Sequence, residues 1–328
     1  MRIESEDLSV IIPAYNEEAN ILTILKTLEQ QSLTGFGVIV VDDGSTDNTA
    51  ALVESFEPQQ FKLQLLKQDN KGAARARESA IRFCKSKFIA VIDCDDSLAI
   101  DSLEKAYAPL IADPSIEISL FKLNYVDSAS KEVTGEFICY TGNNKLKGKD
   151  VFANCVSSWG VHAFGIYNRD VILSAYTTYN AINLKNENYL NNDEVISRIS
   201  FDLANTIFLS EGKYYFINNI NSTTRRVNSS YFKVLHNAFY LSEYIEKRDK
   251  VNSSDALVNA AYSLIISTIW GVSVRYFKWN KYLTPIEKEN WRHLIKRSVK
   301  RVIHAKRTRK LDFTHKSKLQ LILLGVIF

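Results

Sequence analysis

Short apolar runs rich in β-branched residues alternate, through the first third of the chain, with segments whose apolar positions recur every three or four residues. Residues 8–15 (LSVIIPAY) form a continuous apolar run, and residues 17–32 (EEANILTILKTLEQQS) place Ile21, Ile24, Leu25 and Leu28 at helical spacing. FGVIVVDDGS at 36–45 predicts a second strand ending in acids. A helix carrying Ala50, Leu52, Val53 and Phe56 follows, then a short strand at 61–68 (FKLQLLKQ), a helix over 73–84 and a strand at 87–96 (KFIAVIDCDD). Strands separated by helices of this length predict βαβ units with right-handed crossovers and a parallel sheet. In such a sheet ligands bind outside the carboxyl ends of the strands. PAYNEE, DDGSTD and DCDD each follow a predicted strand, so all three polar clusters are expected on one sheet edge.

From about residue 115 the spacing is less regular. Strands are predicted at 116–127 (IEISLFKLNYVD), 136–142 (EFICYTG) and 213–217 (KYYFI), and a helix at 191–204 (NNDEVISRISFDLA). After residue 230 helical spacing takes over. Residues 256–274 carry no charge over 19 positions, the length of a membrane span, but Asn259, Ser263, Ser267, Thr268 and Ser273 dilute the run and favour a buried or interface-facing helix. Residues 285–303 place Trp291, Leu294, Ile295, Val299, Val302 and Ile303 on one helical face, with Arg292, Lys296, Arg297, Lys300 and Arg301 around it. That basic amphipathic helix suits an anionic membrane surface, or else packs on the rest of the protein with a solvated basic face. The apolar LQLILLGVIF at 319–328 is too short to span. The expected division is a domain over 1–228 and a helical basic region over 229–328.

Composition adds two constraints. The formal net charge of +4 hides an asymmetry: residues 275–328 hold 15 Lys and Arg against 3 Asp and Glu, or +12, which leaves −8 for residues 1–274. Cys84, Cys94, Cys139 and Cys155 show no CxxC pairing, so neither a zinc site nor a disulfide framework is expected. The amino terminus carries three acids before its apolar run and lacks the basic and long apolar regions of a signal peptide, so a reducing cytoplasm is the expected location.

The chemistry concentrates in VIDCDDS (91–97), where Asp93, Asp95 and Asp96 crowd the end of a buried strand. Repulsion and partial desolvation make such crowding costly, and a hard divalent cation offsets the cost. Mg²⁺ is typically held by one or two carboxylates while substrate phosphates and water complete its shell. The competing explanation is capping of the next helix, which satisfies only one of the three acids.

With VIIPAYNEEANI (10–21), VIVVDDGSTDNT (38–49), DNKGAARARESAI (69–81) and VIDCDDS in this order, the sequence resembles the family 2 glycosyltransferases, enzymes of GT-A fold that use nucleotide sugars. The resemblance is strong over about residues 8–110, continues weakly to about 225 and then stops. It implies an α/β fold with a mostly parallel central sheet flanked by helices, followed here by a helical carboxyl-terminal region. It also implies that Pro13, Ala14 and Tyr15 contact the nucleobase with Glu17 near the same pocket, and that Asp43 accepts a hydrogen bond from the base. Arg77 would reach the nucleotide, Asp93 would bind the ribose hydroxyls, and Asp95 would hold a Mn²⁺ or Mg²⁺ ion against the diphosphate. Asp96 is a candidate to share that ion. The sequence departs from the family in having Glu78 where Asn usually follows the arginine.

An inverting transfer needs a base on the acceptor hydroxyl. In the family it is the Asp of a Glu-Asp pair opening a helix, and NNDEVISRI (191–199) occupies that place with Asn192 where Glu is usual. Asp193 is the candidate base, Glu194 its competitor, and an N-cap the structural alternative. Trp159, Gly160 and His162 fall in the stretch that lines the acceptor side in the family, where Trp159 is a candidate to stack on a sugar. His162 and His236 are further candidate ligands or bases, with structural roles the usual outcome for a lone histidine. The resemblance therefore implies an inverting, metal-dependent hexosyl- or N-acetylhexosaminyl-transferase, extending a bacterial surface glycan such as capsule or lipopolysaccharide. The donor would be a nucleotide sugar, UDP-linked by expectation. The acceptor would be a glycan or lipid-linked, met by a peripheral protein at the inner face of the plasma membrane. A catalytically silent glycan-binding or scaffold subunit is the alternative, kept open by Asn192. No motif points to nucleic acid, and the lack of a glycine-rich phosphate loop argues against nucleotidyl transfer.

Overall fold

The structure is a computed structural model and describes residues 3–4, 6–137, 143–185, 187–218, 227–248, 255–305 and 313–323. The chain divides into two compact units that interleave in sequence: one holds residues 1–152, 162–178 and 199–219, the other residues 153–161, 179–198 and 220–328. The elements run β1 (Ile3–Glu4), β2 (Leu8–Ala14), α1 (Ile21–Glu29), β3 (Leu33–Thr34), β4 (Gly37–Asp42), α2 (Thr49–Glu54), β5 (Lys62–Lys67), α3 (Ala73–Phe83), β6 (Phe88–Val91), β7 (Ser97–Leu98) and α4 (Ser102–Ala112). They continue with β8 (Ile118–Asp127), β9 (Val133–Glu136), β10 (Lys145–Lys147), α5 (Gly148–Cys155), β11 (Gly165–Asn168), α6 (Arg169–Ile182), α7 (Asn192–Leu203) and β12 (Thr206–Asn218).

In the first unit the main sheet has the order β10-β12-β8-β11-β6-β2-β4-β5. The half that carries the motifs is parallel throughout, with β6, β2, β4 and β5 in register one beside the next. The sheet as a whole is mixed, because β11 lies antiparallel between β6 and β8. That strand sits in a stretch of GIYN whose four residues carry too little periodicity to be recognised from spacing. β2 and β4 are buried on both faces and therefore read as unbroken apolar runs, as strands of a covered parallel sheet do. Ile21, Ile24, Leu25 and Leu28 of α1 pack into the same core as Val10, Ile12, Val38 and Val40.

Asp96 belongs to this core rather than to a metal site. It is 4% exposed, its Oδ2 accepts from the Tyr214 hydroxyl at 2.7 Å and its Oδ1 from the Ile217 amide at 3.0 Å. Burial, reinforced by the neighbouring Asp93, pushes its carboxyl up to about 8. His162 is likewise structural. Its Nε2 bonds the Phe121 carbonyl and its Nδ1 accepts from the Phe164 amide, and burial drops its pKa to about 4, so the ring is neutral. Among the described residues Cys84, Cys94 and Cys155 are buried thiols, while Cys139 lies outside them.

The second unit contains α8 (Val234–Arg248), α9 (Asp255–Trp279), α10 (Pro285–His304) and α11 (Phe313–Leu323). Helix α9 is long and apolar enough to cross a membrane, but it supplies Ile265, Ile266, Ile269, Val272, Tyr276 and Trp279 to the core of this unit. Helix α10 starts on a capping box between Thr284 and Glu287, with Pro285 at its first position. Trp291, Ile295, Val299 and Val302 of its apolar face are buried in the same core, while Ile303 and the basic Arg292, Lys296, Arg297, Lys300 and Arg301 are exposed. Trp291 is fully buried and donates from Nε1 to the Ser229 carbonyl at 2.6 Å. Half of the apolar segment 319–328, residues 324–328, lies outside the described residues.

Two stability measurements check this packing. Trp291→Ala removes a fully buried indole and is expected to cost about 3–5 kcal/mol in urea denaturation, with a matching drop in Tm. Because folded Asp96 holds a proton that the unfolded chain has already released, its contribution to stability is present at low pH and lost as pH rises toward its folded pKa. Wild-type stability is therefore expected to decline from about pH 5 to about pH 8, and Asp96→Asn to flatten that decline; a parallel decline in the variant would refute the assignment.

Candidate active site

Three turns follow the carboxyl ends of β2, β4 and β6, and hydrogen bonds between side chains and backbone lock the first two together. Asn16 takes φ 55°, a left-handed conformation that asparagine tolerates better than most residues, and its Oδ1 accepts from the Thr46 amide at 2.8 Å. The Asn16 amide donates to Ser45 Oγ at 2.9 Å, the Glu17 amide to Thr49 Oγ1 at 2.8 Å and the Glu18 amide to Asp47 Oδ2 at 3.1 Å. The Asp43 amide closes the seam on the Ala14 carbonyl at 2.8 Å. Ala14 is buried while Tyr15 is 48% exposed, so this turn presents a ring and backbone to solvent. Gly44 is required here: its φ is +77° and a Cβ would stand 3.0 Å from the Asn70 amide nitrogen.

Asp43 is 2% exposed and anchors the loop before α3. Its Oδ1 accepts from Gln68 Nε2 at 2.7 Å and the Lys71 amide at 2.9 Å, and its Oδ2 accepts from the Gly72 amide at 2.7 Å. A carboxylate offers about four acceptor positions, so these three contacts leave room for one more. Gly72, at φ 85° and ψ 158°, supplies the backbone conformation that turns the chain into α3.

Helix α3 presents three arginines and sorts them by partner. Glu78, the residue that replaces the family's Asn, is buried and takes both Arg75 (2.6 Å) and Arg82 (2.8 Å). Arg77 reaches instead to Asp93, with Nη2 2.6 Å from Oδ1, in a pair whose side chains are 14% and 29% exposed. The Asp93 amide donates to the Tyr214 hydroxyl at 3.3 Å, which ties the third turn to β12.

The electrostatics show that acids from separate turns face one another. The Glu17 carboxyl is raised first by burial; a hydrogen bond from Asn20 opposes this, and Asp95, Asp93 and Asp47 push it further up. The Cys94 thiol is raised well above its ordinary value, chiefly by burial and then by Glu17, Asp93 and Asp95. Among the described residues no three His, Cys, Asp or Glu side chains form a ready-made metal cage. A cation held by one or two carboxylates and completed by phosphate oxygens needs no such cage, and the concentration of negative charge around Asp95 fits an ion of that kind.

In the second unit the two acids that open α7 have separate fates. Glu194 Oε2 accepts from the Gly160 and Val161 amides at 2.8 and 3.2 Å and pairs with Arg198 Nη1 at 3.0 Å. Burial raises its pKa more than the partner Arg198 lowers it. Arg198 is fully buried and also donates to the carbonyls of Cys155 (2.8 Å) and Ser158 (2.6 Å). Its guanidinium lies 5.3 Å from the ring centre of Trp159, whose Nε1 donates to Thr268 Oγ1 at 2.8 Å. Asp193 is exposed, and its amide is held by Asn192 Oδ1 at 2.8 Å. The spacing of the sequence does not reveal Arg198 as the residue that fixes loop 158–161 to α7, since a charged residue within a helix ordinarily reads as solvated.

Known proteins supply the comparison. A profile of the glycosyl transferase family 2 matches residues 9–172, half of the 328-residue chain. Glycosyltransferase GlyG of Streptococcus pneumoniae serotype 4 is 24% identical over 217 residues, covering 65% of this chain and 71% of GlyG. The UDP-Glc:alpha-D-GlcNAc-diphosphoundecaprenol beta-1,3-glucosyltransferase WfgD of Escherichia coli is 30% identical over 148 residues, covering 45% of this chain and 56% of WfgD. The crystal structure of S. aureus TarS 1–349 in complex with UDP superposes with a TM-score of 0.65 at 17% identity, over 98% of this chain and 88% of that one, which establishes a shared fold. With the motif-bearing turns, the GT-A sheet and the profile in agreement, the chain belongs to glycosyl transferase family 2.

Proposed function

We propose that this glycosyltransferase is metal-dependent and inverting, and moves a sugar from a UDP-sugar to a growing surface glycan or a lipid-linked acceptor at the cytoplasmic face of the membrane. The observation that carries the reading is the placement of Glu17, Asp43, Asp93 and Asp95 on the turns that follow the adjacent parallel strands β2, β4 and β6, with Arg77 paired to Asp93. UDP bound to TarS, and the UDP-Glc and diphosphoundecaprenol in the name of WfgD, support the donor and acceptor classes. The exposed basic face of α10 supports attraction to an anionic membrane surface through charge.

The residues divide the work by chemistry. Pro13, Ala14 and Tyr15 bound the nucleobase beside Glu17, and Asp43 offers its remaining acceptor position to a base N–H. Asp93 binds the ribose hydroxyls while its ion pair holds Arg77 beside the nucleotide. Asp95 would hold Mn²⁺ or Mg²⁺, which when bound neutralises charge on the departing diphosphate. Asp193 is the base: it is solvated, it sits in the first turn of α7, and Glu194 is occupied with Arg198 and loop 158–161. Trp159, fixed through Nε1, offers its partly buried ring to the acceptor sugar.

Two variants separate donor binding from chemistry. Asp95→Ala is expected to abolish turnover of UDP-sugars in Mn²⁺ and to remove the thermal stabilisation by UDP that Mn²⁺ supports. Asp193→Asn is expected to lower kcat by on the order of 10²–10⁴-fold while UDP still stabilises the fold to the wild-type degree. Asn192, standing where the family has Glu, favours a second reading, a silent glycan-binding subunit. A wild-type protein that UDP stabilises but that turns over no donor would establish it.

A further inference from the structure

The helical unit contains a cleft of about 350 Å³ whose walls include Lys185, Tyr189, Lys233, His236, His293 and Arg297. A second hollow of about 320 Å³, bearing Phe239 and Arg301, shares His236, Leu294 and Arg297 as walls. The cations come from three places in the chain: Lys185 from the segment after α6, Lys233 from the turn before α8, and Arg297 and Arg301 from successive turns of α10. A merely solvated basic helix would spread its charge outward; here separate elements bring it to one concavity.

The cleft is also short of counter-charge. Among the described residues Glu187 is its one carboxylate, and no ion pair there involves Lys185, Lys233, Arg297 or Arg301. The crowding registers on His236, whose pKa is lowered first by burial and then by Arg297, Lys185 and Lys233, with Glu187 opposing. The rings are ordered for contact. His236 stacks on the buried Tyr189 with centroids 4.6 Å apart and planes at 15°, and the Arg301 guanidinium lies 4.2 Å from the centre of the Phe239 ring.

We propose that this cleft is a phosphate-binding site that takes a phosphomonoester or phosphodiester, with Arg297 and Lys233 as principal charge partners and the Tyr189–His236 stack as the wall for the attached glycerol or sugar. A phosphate brings up to two charges and several acceptor oxygens to a single point, which suits cations converging from different elements. Its arrival relieves their mutual repulsion and lets His236 take up a proton as a further donor. The same chemistry serves a lipid headgroup or a phosphate of a soluble acceptor. It does not depend on donor turnover.

The test uses the full chain with no nucleotide sugar. Glycerol 1-phosphate is titrated while the His236 imidazole is followed by NMR, and its pKa is expected to rise on binding. In the double variant K233Q/R297Q the dissociation constant is expected to rise at least about ten-fold, whereas R292Q/K300Q, on α10 but outside the walls of the cleft, binds as wild type. A second arm sediments the protein with vesicles of phosphatidylcholine alone or with phosphatidylglycerol. Retention by phosphatidylglycerol that K233Q/R297Q lowers further than R292Q/K300Q, which removes the same charge from the basic face of α10, assigns the site to a lipid headgroup; soluble binding without such a difference in retention assigns it to a non-lipid phosphate. The proposal falls if neither probe binds, if the two double variants lose binding equally, or if acetate at the same ionic strength shifts His236 as far.

Discussion

Like charges held together at the end of a buried strand are the constraint around which the first unit is organised. The parallel register of β6, β2 and β4 brings three turns to one edge, and each turn contributes acid. Repulsion among Glu17, Asp93 and Asp95 is tolerated because the turn that carries Glu17 is stitched to the turn after β4 through Asn16, Ser45, Asp47 and Thr49, the turn that carries Asp93 is tied to Tyr214 of β12, and Arg77 pairs with Asp93. Such an edge is stabilised most by positive charge arriving beside it, as a hard divalent cation would supply.

The departures from the family pattern are absorbed by rewiring of charge. Glu78 engages Arg75 and Arg82, which assigns the nearby Arg77 to Asp93. In the second unit the buried Arg198 would be costly without a carboxylate, and Glu194 supplies it while capping the amides of Gly160 and Val161. Glu194 is thereby structural, and Asp193 is the acid of the pair that remains exposed.

The helical unit shows the limit of amphipathic spacing as a guide to partners. An apolar stripe is driven out of water by a non-directional force, so the stripe of α10 serves a bilayer or a protein core equally well. The structure turns Trp291, Ile295, Val299 and Val302 into a core with α9, and leaves the arginines and lysines outside.

Much of the motif-bearing half was legible from spacing alone: β2, β4 and β6 with their trailing acids, helices α1 and α3, and the order of the turns follow from local periodicity and from the rule that parallel strands present their carboxyl ends together. Local spacing does not carry the partner of a side chain, because that is set by residues a hundred positions away. Asp96 and Asp95 are adjacent in sequence, yet Tyr214 and Ile217 of β12 draw Asp96 into the core. His162 is made neutral by burial against Phe121, and β11 enters the sheet through a four-residue segment too short to show a period. The sequence by itself determined which chemical groups stand at the ends of which strands; only the tertiary structure decided which acids and cations face each other, since electrostatic energy depends on distance and burial that long-range packing alone sets.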